Sequence, residues 1–305
     1  MVIDGVRVQR AAANEQNTQR AKAATLVVDA SSHALPVANY RRILSCSSVA
    51  DAILMELVPT EQIVGVSRWY AEASPNAWRL AGKPRLSGPQ ELEKIIELRP
   101  DLIVVSNYTG DSSSVERLRE QGYRVFELGP MLGQVTLERN LSMLSQLLGL
   151  SAEGERLVQH FRRRMNQVAA HVPESSRKRG IYLNLYDTQL HGGTLGSSYY
   201  DVLTSAGLRD VAAKDRVFAR QGEQAWPRFR VEDVLVMAPD VIVTVTGKGR
   251  QICGLSGLER LAACRDPRGI VELDEGQLND PGFGMLTTAE IICDRVYPRK
   301  PSTVP

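Results

Sequence analysis

Residues 151–172 read SAEGERLVQHFRRRMNQVAAHV, with Leu157, Phe161, Met165, Val168 and Val172 at three- and four-residue steps. That spacing stripes one face of a helix with apolar side chains. Ser151 stands where a cap belongs, Glu153 and Glu155 fall in the first turn where the helix dipole favours anions, and Pro173 follows the stripe. A helix of this length measures roughly 30 Å, the width of a small domain. What constrains the fold is a second pattern that occurs once on each side of it. Leu92-Glu93-Lys94-Ile95-Ile96-Glu97-Leu98-Arg99-Pro100-Asp101-Leu102-Ile103-Val104 precedes the helix, and Val231-Glu232-Asp233-Val234-Leu235-Val236-Met237-Ala238-Pro239-Asp240-Val241-Ile242-Val243 follows it. Each predicts a short helix, a Pro-Asp turn that cannot continue it, and a buried strand. Two such units in register about a long helix predict two similar α/β lobes joined by a stiff strut.

A chain of 305 residues is long enough for two such lobes. Net charge is +2 with 24% charged residues, which excludes a strong pull toward nucleic acid or an anionic membrane. No run of eighteen apolar residues is present, so no membrane-spanning helix is expected. The cysteines, Cys46, Cys253, Cys264 and Cys293, form no CxxC pair and have no His at zinc-finger spacing, so no metal site is expected.

Residues 1–24 are polar and aperiodic and are read as a disordered or foreign leader. Ala21-Lys22-Ala23 resembles the end of a signal peptide, with no apolar segment ahead of it. The N-terminal lobe is placed at 25–150, the strut at 151–172, the C-terminal lobe at 173–298 and a tail at 299–305. In the first lobe strands are expected at 25–29, 42–45, 63–66, 102–104 and 124–128, and helices at 48–58, 92–98, 114–121 and 137–148. A loop carrying Ser67-Arg68-Trp69-Tyr70 is expected after the third strand. The second lobe is expected to hold strands at 180–185, 241–243 and 270–273, helices at 199–206, 231–237, 255–262 and 285–297, and a long loop at 215–230. Helices alternating with short Val/Ile/Leu strands predict mainly parallel sheets with helices outside, whose strand ends are where ligands bind.

Signatures of catalysis are few. There is no Walker-type phosphate loop, no dinucleotide fingerprint and no GxSxG elbow. Gly192-Gly193-Thr194-Leu195-Gly196 reads as a glycine turn able to hold an anion. His33, His160, His171 and His191 are scattered, and only His191 follows a strand end. Aromatic residues make up 6% of the chain, yet Trp69, Tyr70, Tyr108, Tyr186 and Trp226 all fall in strand-end loops. Flat aromatic walls suit a large, rigid, partly apolar ligand. Arg68, Arg220 and Arg228 near the same loops would suit an anionic one instead.

At the twin units the chain resembles the class III solute-binding proteins of ABC importers, the cobalamin- and ferric-siderophore-binding type. The resemblance spans about 25–298. It rests on Arg42-Ile43-Leu44-Ser45, Val64-Gly65-Val66-Ser67, both Glu-to-Pro-Asp units, the strut and Trp226-Pro227. It implies two α/β lobes joined by one long helix, with a large ligand held between them. It implies that Glu93 and Glu232 each dock the membrane permease from the top of one lobe. Trp226 matches a cobalamin-contacting Trp before Pro, and Trp69 the aromatic after Gly-Val-Ser. The function implied is a monomeric periplasmic or lipid-anchored binding protein that delivers cobalamin or another corrinoid, then in order a ferric siderophore or haem. Haem would need an axial ligand from Tyr70, Tyr186 or His191. No cofactor of its own and no catalysis are expected. The rival is a two-domain α/β enzyme working in the interlobe cleft, for which Asp187 and Asp280 are the acids at hand.

The segment between Cys253 and Cys264, read as a loop and helix, would bring the two thiols together. A bridge there is expected, with Cys46 and Cys293 as isolated core thiols. An oxidised pair implies export.

Overall fold

The computed structural model of the protein describes residues 25–106, 112–214, 225–280 and 282–298. The expected leader and tail, and Tyr108 and Arg220, lie outside the described residues. In order the elements are β1 (Leu26–Val28), β2 (Ala34–Pro36), β3 (Ile43–Ser45), α1 (Ser48–Leu57), β4 (Ile63–Ser67), α2 (Arg68–Ala73), β5 (Arg85–Leu86), α3 (Leu92–Leu98), β6 (Leu102–Ser106), α4 (Ser112–Glu120), β7 (Val125–Leu128), α5 (Gln134–Leu147) and the long helix α6 (Ser151–Ala170). The second half continues with β8 (Arg179–Tyr186), β9 (Gln189–Gly193), α7 (Ser198–Ser205), β10 (Arg209–Asp210), β11 (Arg228–Phe229), α8 (Val231–Met237), β12 (Val241–Val245), α9 (Gly249–Cys253), α10 (Ala262–Arg265), β13 (Ile270–Leu273), α11 (Glu275–Leu278) and α12 (Gly284–Val296). The N-terminal sheet has the order β5-β4-β3-β6-β7 and is parallel throughout. The C-terminal sheet, β11-β9-β8-β12-β13 with β10 beside β8, is parallel around β8 and β12 and antiparallel where β9 turns back on β8 and β11 on β9. The fold class is therefore α/β with two lobes and mainly parallel sheets.

The twin units are equivalent down to single hydrogen bonds. α3 and α8 each run seven residues and end on a left-handed residue, Arg99 at φ 45° and Ala238 at φ 42°. The Asp after each buried Pro caps the start of a neighbouring strand. Asp101 accepts the N–H of Arg42, and Asp240 that of Arg179, both at 2.9 Å. The guanidinium of the same arginine then donates to the last carbonyl of the unit's helix, Arg42 to Leu98 at 2.6 Å and Arg179 to Met237 at 2.5 Å. Those carbonyls have no partner within the helix, so each arginine satisfies an orphan acceptor and adds a cation at the negative helix end.

The strut is less isolated than the sequence implies. α6 buries Gly154, Val158, Phe161 and Met165, with Leu157 and Val168 half-buried. It packs on α5, α7 and α12, and Phe161 meets Phe283 edge-on at 5.4 Å. One apolar core runs from Ile53 and Leu54 of the first lobe through Phe161 and Met165 to Leu203, Val243 and Ile292 of the second. The outer face of each sheet has its own smaller core. Ser151 is not the cap. The turn closing α5, where the N–H of Leu150 donates to Ser145 at 2.7 Å, delivers Ser151 already helical, and the cap position falls to Leu150.

Other differences have local causes. The expected loop after β4 is the helix α2. The expected 255–262 helix is a single 3-10 turn, Leu258–Arg260, followed by α10, because Gly257 at φ +99° breaks any continuous helix. Gly192 and Gly193 are not an anion-holding turn but strand residues of β9. A side chain at Gly192 would collide with Phe229 and one at Gly193 with Tyr199, the Cβ positions lying 2.2 and 2.3 Å from those rings. The sulfurs of Cys253 and Cys264 lie at bonding distance, 1.98 Å, on Cα atoms 5.6 Å apart. Cys46 and Cys293 are free and buried. No helix among the described residues is long and apolar enough to cross a membrane.

Candidate functional site

The C-terminal ends of the parallel strands face one another across a cleft between the lobes, with a cavity of about 540 Å³. From the first lobe β3 delivers Cys46, Ser47 and Ser48, β4 delivers Ser67 and Trp69, β5 delivers Ser87, β6 ends on Ser106, and the β7–α5 turn supplies Met131 and Leu132. From the second lobe come Ser198 and Tyr199 at the start of α7, Trp226 just ahead of β11, and Asn279 after α11. None of the described residues lining this cavity carries a charge, whereas an adjoining cavity of about 610 Å³ that shares Ser48, Trp69 and Asn279 is lined by Glu72, Glu275 and Asp280. The wall of the uncharged cavity is made of hydroxyls, the Cys46 thiol, one amide, aromatic rings and the apolar side chains of Val49, Met131 and Leu132.

The wall of the second lobe is built as a stack. Tyr199 lies flat on Tyr182 with ring centroids 3.8 Å apart, and Trp226 stands edge-on to Tyr199 at 5.2 Å. The Tyr199 hydroxyl donates to Oδ1 of Asn279. Burial, followed by the neighbouring Tyr182, pushes the Tyr199 pKa well up, so its hydroxyl stays a neutral donor. Trp69 faces this stack from the first lobe and is 69% exposed, against 42% for Trp226. Both are large apolar surfaces left uncovered at the mouth of a cavity, which marks them for a ligand.

The sequence candidates divide. Trp69 and Trp226 line the cleft. Tyr70 does not line this cavity: it is 2% exposed, packed in the first lobe's core with its hydroxyl toward the Met55 sulfur at 3.6 Å, and it borders the adjoining cavity beside Trp69 instead. α2 turns successive side chains by about 100°, so exposing Trp69 drives Tyr70 inward. The same turn points Arg68 away, to pair with Glu72 at 2.9 Å in a separate surface groove. Tyr186 sits at the tip of the β8–β9 hairpin, edge-on to His191 at 5.5 Å and outside the cavity lining. Asp187 is exposed at the same hairpin, whereas Asp280 is buried after α11, so the two acids do not form a pair. Tyr199 and the serines were not singled out from the sequence. The signal for two of the serines was present, since Ser67 and Ser106 each end a strand.

Behind the first lobe's wall lies Asp51 on α1, fully buried, whose Oδ2 accepts the Ser67 N–H at 2.9 Å while Oδ1 makes no hydrogen bond. Burial raises its pKa well above the ordinary value, against the opposing hydrogen bonds of Ser45 and Ser67. The folded protein thus holds this proton more tightly than the unfolded chain. The group's stabilisation is full below the unfolded pKa and is lost as pH rises toward the folded one, at about 1.4 kcal/mol per pH unit in that window. Asp51→Asn should flatten that part of the profile when denaturant unfolding is repeated across pH. Equal slopes for both proteins would refute the assignment.

Residues 44–260 match the periplasmic binding protein family, and the chain belongs to it. Among its relatives, the vitamin B12-binding protein of Salmonella typhimurium is 30% identical over 191 residues, covering 62% of this chain and 66% of that protein, just under two thirds of its length. The fold is shared with the periplasmic vitamin B12-binding protein BtuF of Vibrio cholerae, at TM-score 0.63 and 22% identity over 85% of this chain and 97% of that one. It is shared too with the periplasmic haem-binding protein HutB of Vibrio cholerae, at TM-score 0.71 and 18% identity over 84% and 99%.

Proposed function

We propose that this protein captures cobalamin or another corrinoid in the interlobe cleft and delivers it to the permease of an ABC importer. The observation that carries the reading is the uncharged, hydroxyl-rich cavity between Trp69 and the Tyr199–Trp226 stack. A corrinoid is a broad macrocycle edged with neutral amides. Aromatic surfaces bury its faces, and serine hydroxyls and Asn279 match its amides. The Salmonella relative supports the same ligand class. A ferric siderophore, second in order, calls for cationic partners, and Arg68 is engaged by Glu72 outside the cleft. Haem calls for an axial ligand: Tyr186 and His191 lie away from the cavity lining, Tyr70 is 2% exposed beside the adjoining cavity, and the Tyr199 hydroxyl is engaged by Asn279. The protein works as a monomer in the periplasm, free or lipid-anchored, with the Cys253–Cys264 bridge formed there. It needs no cofactor of its own and performs no catalysis.

Docking falls to Glu93 and Glu232. Each is the second residue of its helix, exposed, at equivalent places of the two lobes. A carboxylate in a first turn gains a few tenths of a kcal/mol from the dipole, which accounts for either alone but not for the pair. Glu93→Ala and Glu232→Ala should leave ligand affinity unchanged by calorimetry while abolishing uptake with the cognate permease. Collapse of ligand binding in either variant would place these residues in the cleft or the fold instead.

A further inference from the structure

Among the described residues, two hydrogen bonds cross between the lobes, one on each flank of the cleft, and a carboxylate of the second lobe accepts each. On one flank Asp201 of α7 reaches the first turn of α5, where its Oδ2 accepts the Gln134 N–H at 2.6 Å. Gly133 makes room for it: a Cβ there would lie 2.2 Å from the same oxygen, and the φ of +132° is one that side chains avoid. On the other flank Asp280 accepts the Ser74 hydroxyl at 3.3 Å at the end of α2, while its Oδ1 accepts the Gly282 N–H at 2.9 Å. There too a glycine is needed, because a Cβ on Gly276 would lie 1.8 Å from the Ala73 carbonyl oxygen.

Each contact is continuous with a wall of the cleft. Asp201 shares α7 with Ser198 and Tyr199, and Gln134 follows Met131 and Leu132. Asp280 follows Asn279, which holds the Tyr199 hydroxyl, and Ser74 ends the helix that begins beside Trp69. We propose that Asp201 and Asp280 are positioning residues, a pair of clasps that hold the Trp69 wall and the Tyr199–Trp226 wall at one spacing before ligand arrives. The cleft then selects ligands by thickness, and a ligand meets a site already at its binding width. This rests on the cleft being the ligand site, but the clasps themselves can be tested without any ligand.

The test places spin labels on Glu97→Cys and Val236→Cys, both exposed and one on each lobe, with the protein lacking these two substitutions as the labelling blank. The ligand-free protein should give one narrow interlobe distance, unchanged by saturating cyanocobalamin. Asp201→Ala combined with Asp280→Ala should broaden the distribution. If the working width falls to about a tenth of the population, cyanocobalamin affinity drops roughly tenfold. Asp201→Asn with Asp280→Asn, which keeps an acceptor oxygen at each site, should restore both the narrow distance and the affinity. Gly276→Ala, which leaves both carboxylates in place, should shift the distance outward, and it serves if the double alanine variant fails to fold. A narrow, unshifted distance in the alanine and Gly276→Ala proteins overturns the proposal. Failure of cyanocobalamin to bind the unaltered protein overturns the ligand reading alone, since the distances still decide the clasps.

Discussion

Serine at both Cys253 and Cys264 should lower the unfolding free energy by about 3 kcal/mol, the loop entropy a bridge of this span removes from the unfolded chain. The pair closes a separation of 11 residues. That segment is poorly held otherwise: a five-residue helix, a 3-10 turn and a four-residue helix, broken at Gly257. Such pieces are too short to be stable alone. Leu258, Leu261 and Ala263 nevertheless seal the outer core of the second lobe, so loosening the segment opens that core as well. Urea unfolding under oxidising conditions measures the effect, with reductant expected to reproduce it in the unaltered protein and to leave the serine variant unchanged. A loss below about 1 kcal/mol would show that packing, not the bridge, fixes the segment.

Trp226→Ala should weaken corrinoid binding by about 1–3 kcal/mol, roughly 5- to 150-fold in Kd. The indole is part of a built wall: Tyr182 sets Tyr199, and Tyr199 sets Trp226 edge-on at 5.2 Å. Its position is thus fixed before binding, and little side-chain freedom is lost when ligand covers it. Trp226→Phe keeps a ring at the contact and should lose less than the alanine variant. Stability should change little, because the side chain is 42% exposed. An unchanged Kd in Trp226→Ala would remove this wall from the ligand site.

The two-lobe plan was legible because it is written twice, in spacings that physics reads locally. A short amphipathic run, a buried Pro and an Asp that caps a neighbouring strand specify the same unit at 92–104 and 231–243. The hairpin β8–β9 was missed because Gln189–Gly193 contains two glycines and little β-branched sequence. Its glycines answer to Phe229, which is distant in sequence, and to Tyr199. The cleft was half legible. Trp69 and Trp226 could be found from where strands end. Tyr70 falls behind Trp69, outside the neutral cavity, because one turn of helix, unseen in the sequence, decides which of two adjacent aromatics faces out. The same turn directs Arg68 to Glu72 instead. Tyr199 could not be ranked, since its role depends on stacking against Tyr182 from another element. The strut's apolar stripe was clear, yet a stripe cannot say how many neighbours share it, and here α5, α7 and α12 do.

Calorimetric titration of the ligand-free protein with cyanocobalamin, haem and a ferric chelate, side by side, tests the central claim most directly. A neutral cavity lined by Trp69, Trp226, Tyr199 and serines predicts a one-to-one complex with cyanocobalamin that is the tightest of the three. It also predicts that any residual haem binding shows no tyrosinate or histidine ligation in its absorption spectrum. Tight haem or ferric-chelate binding with no cyanocobalamin complex would contradict the account.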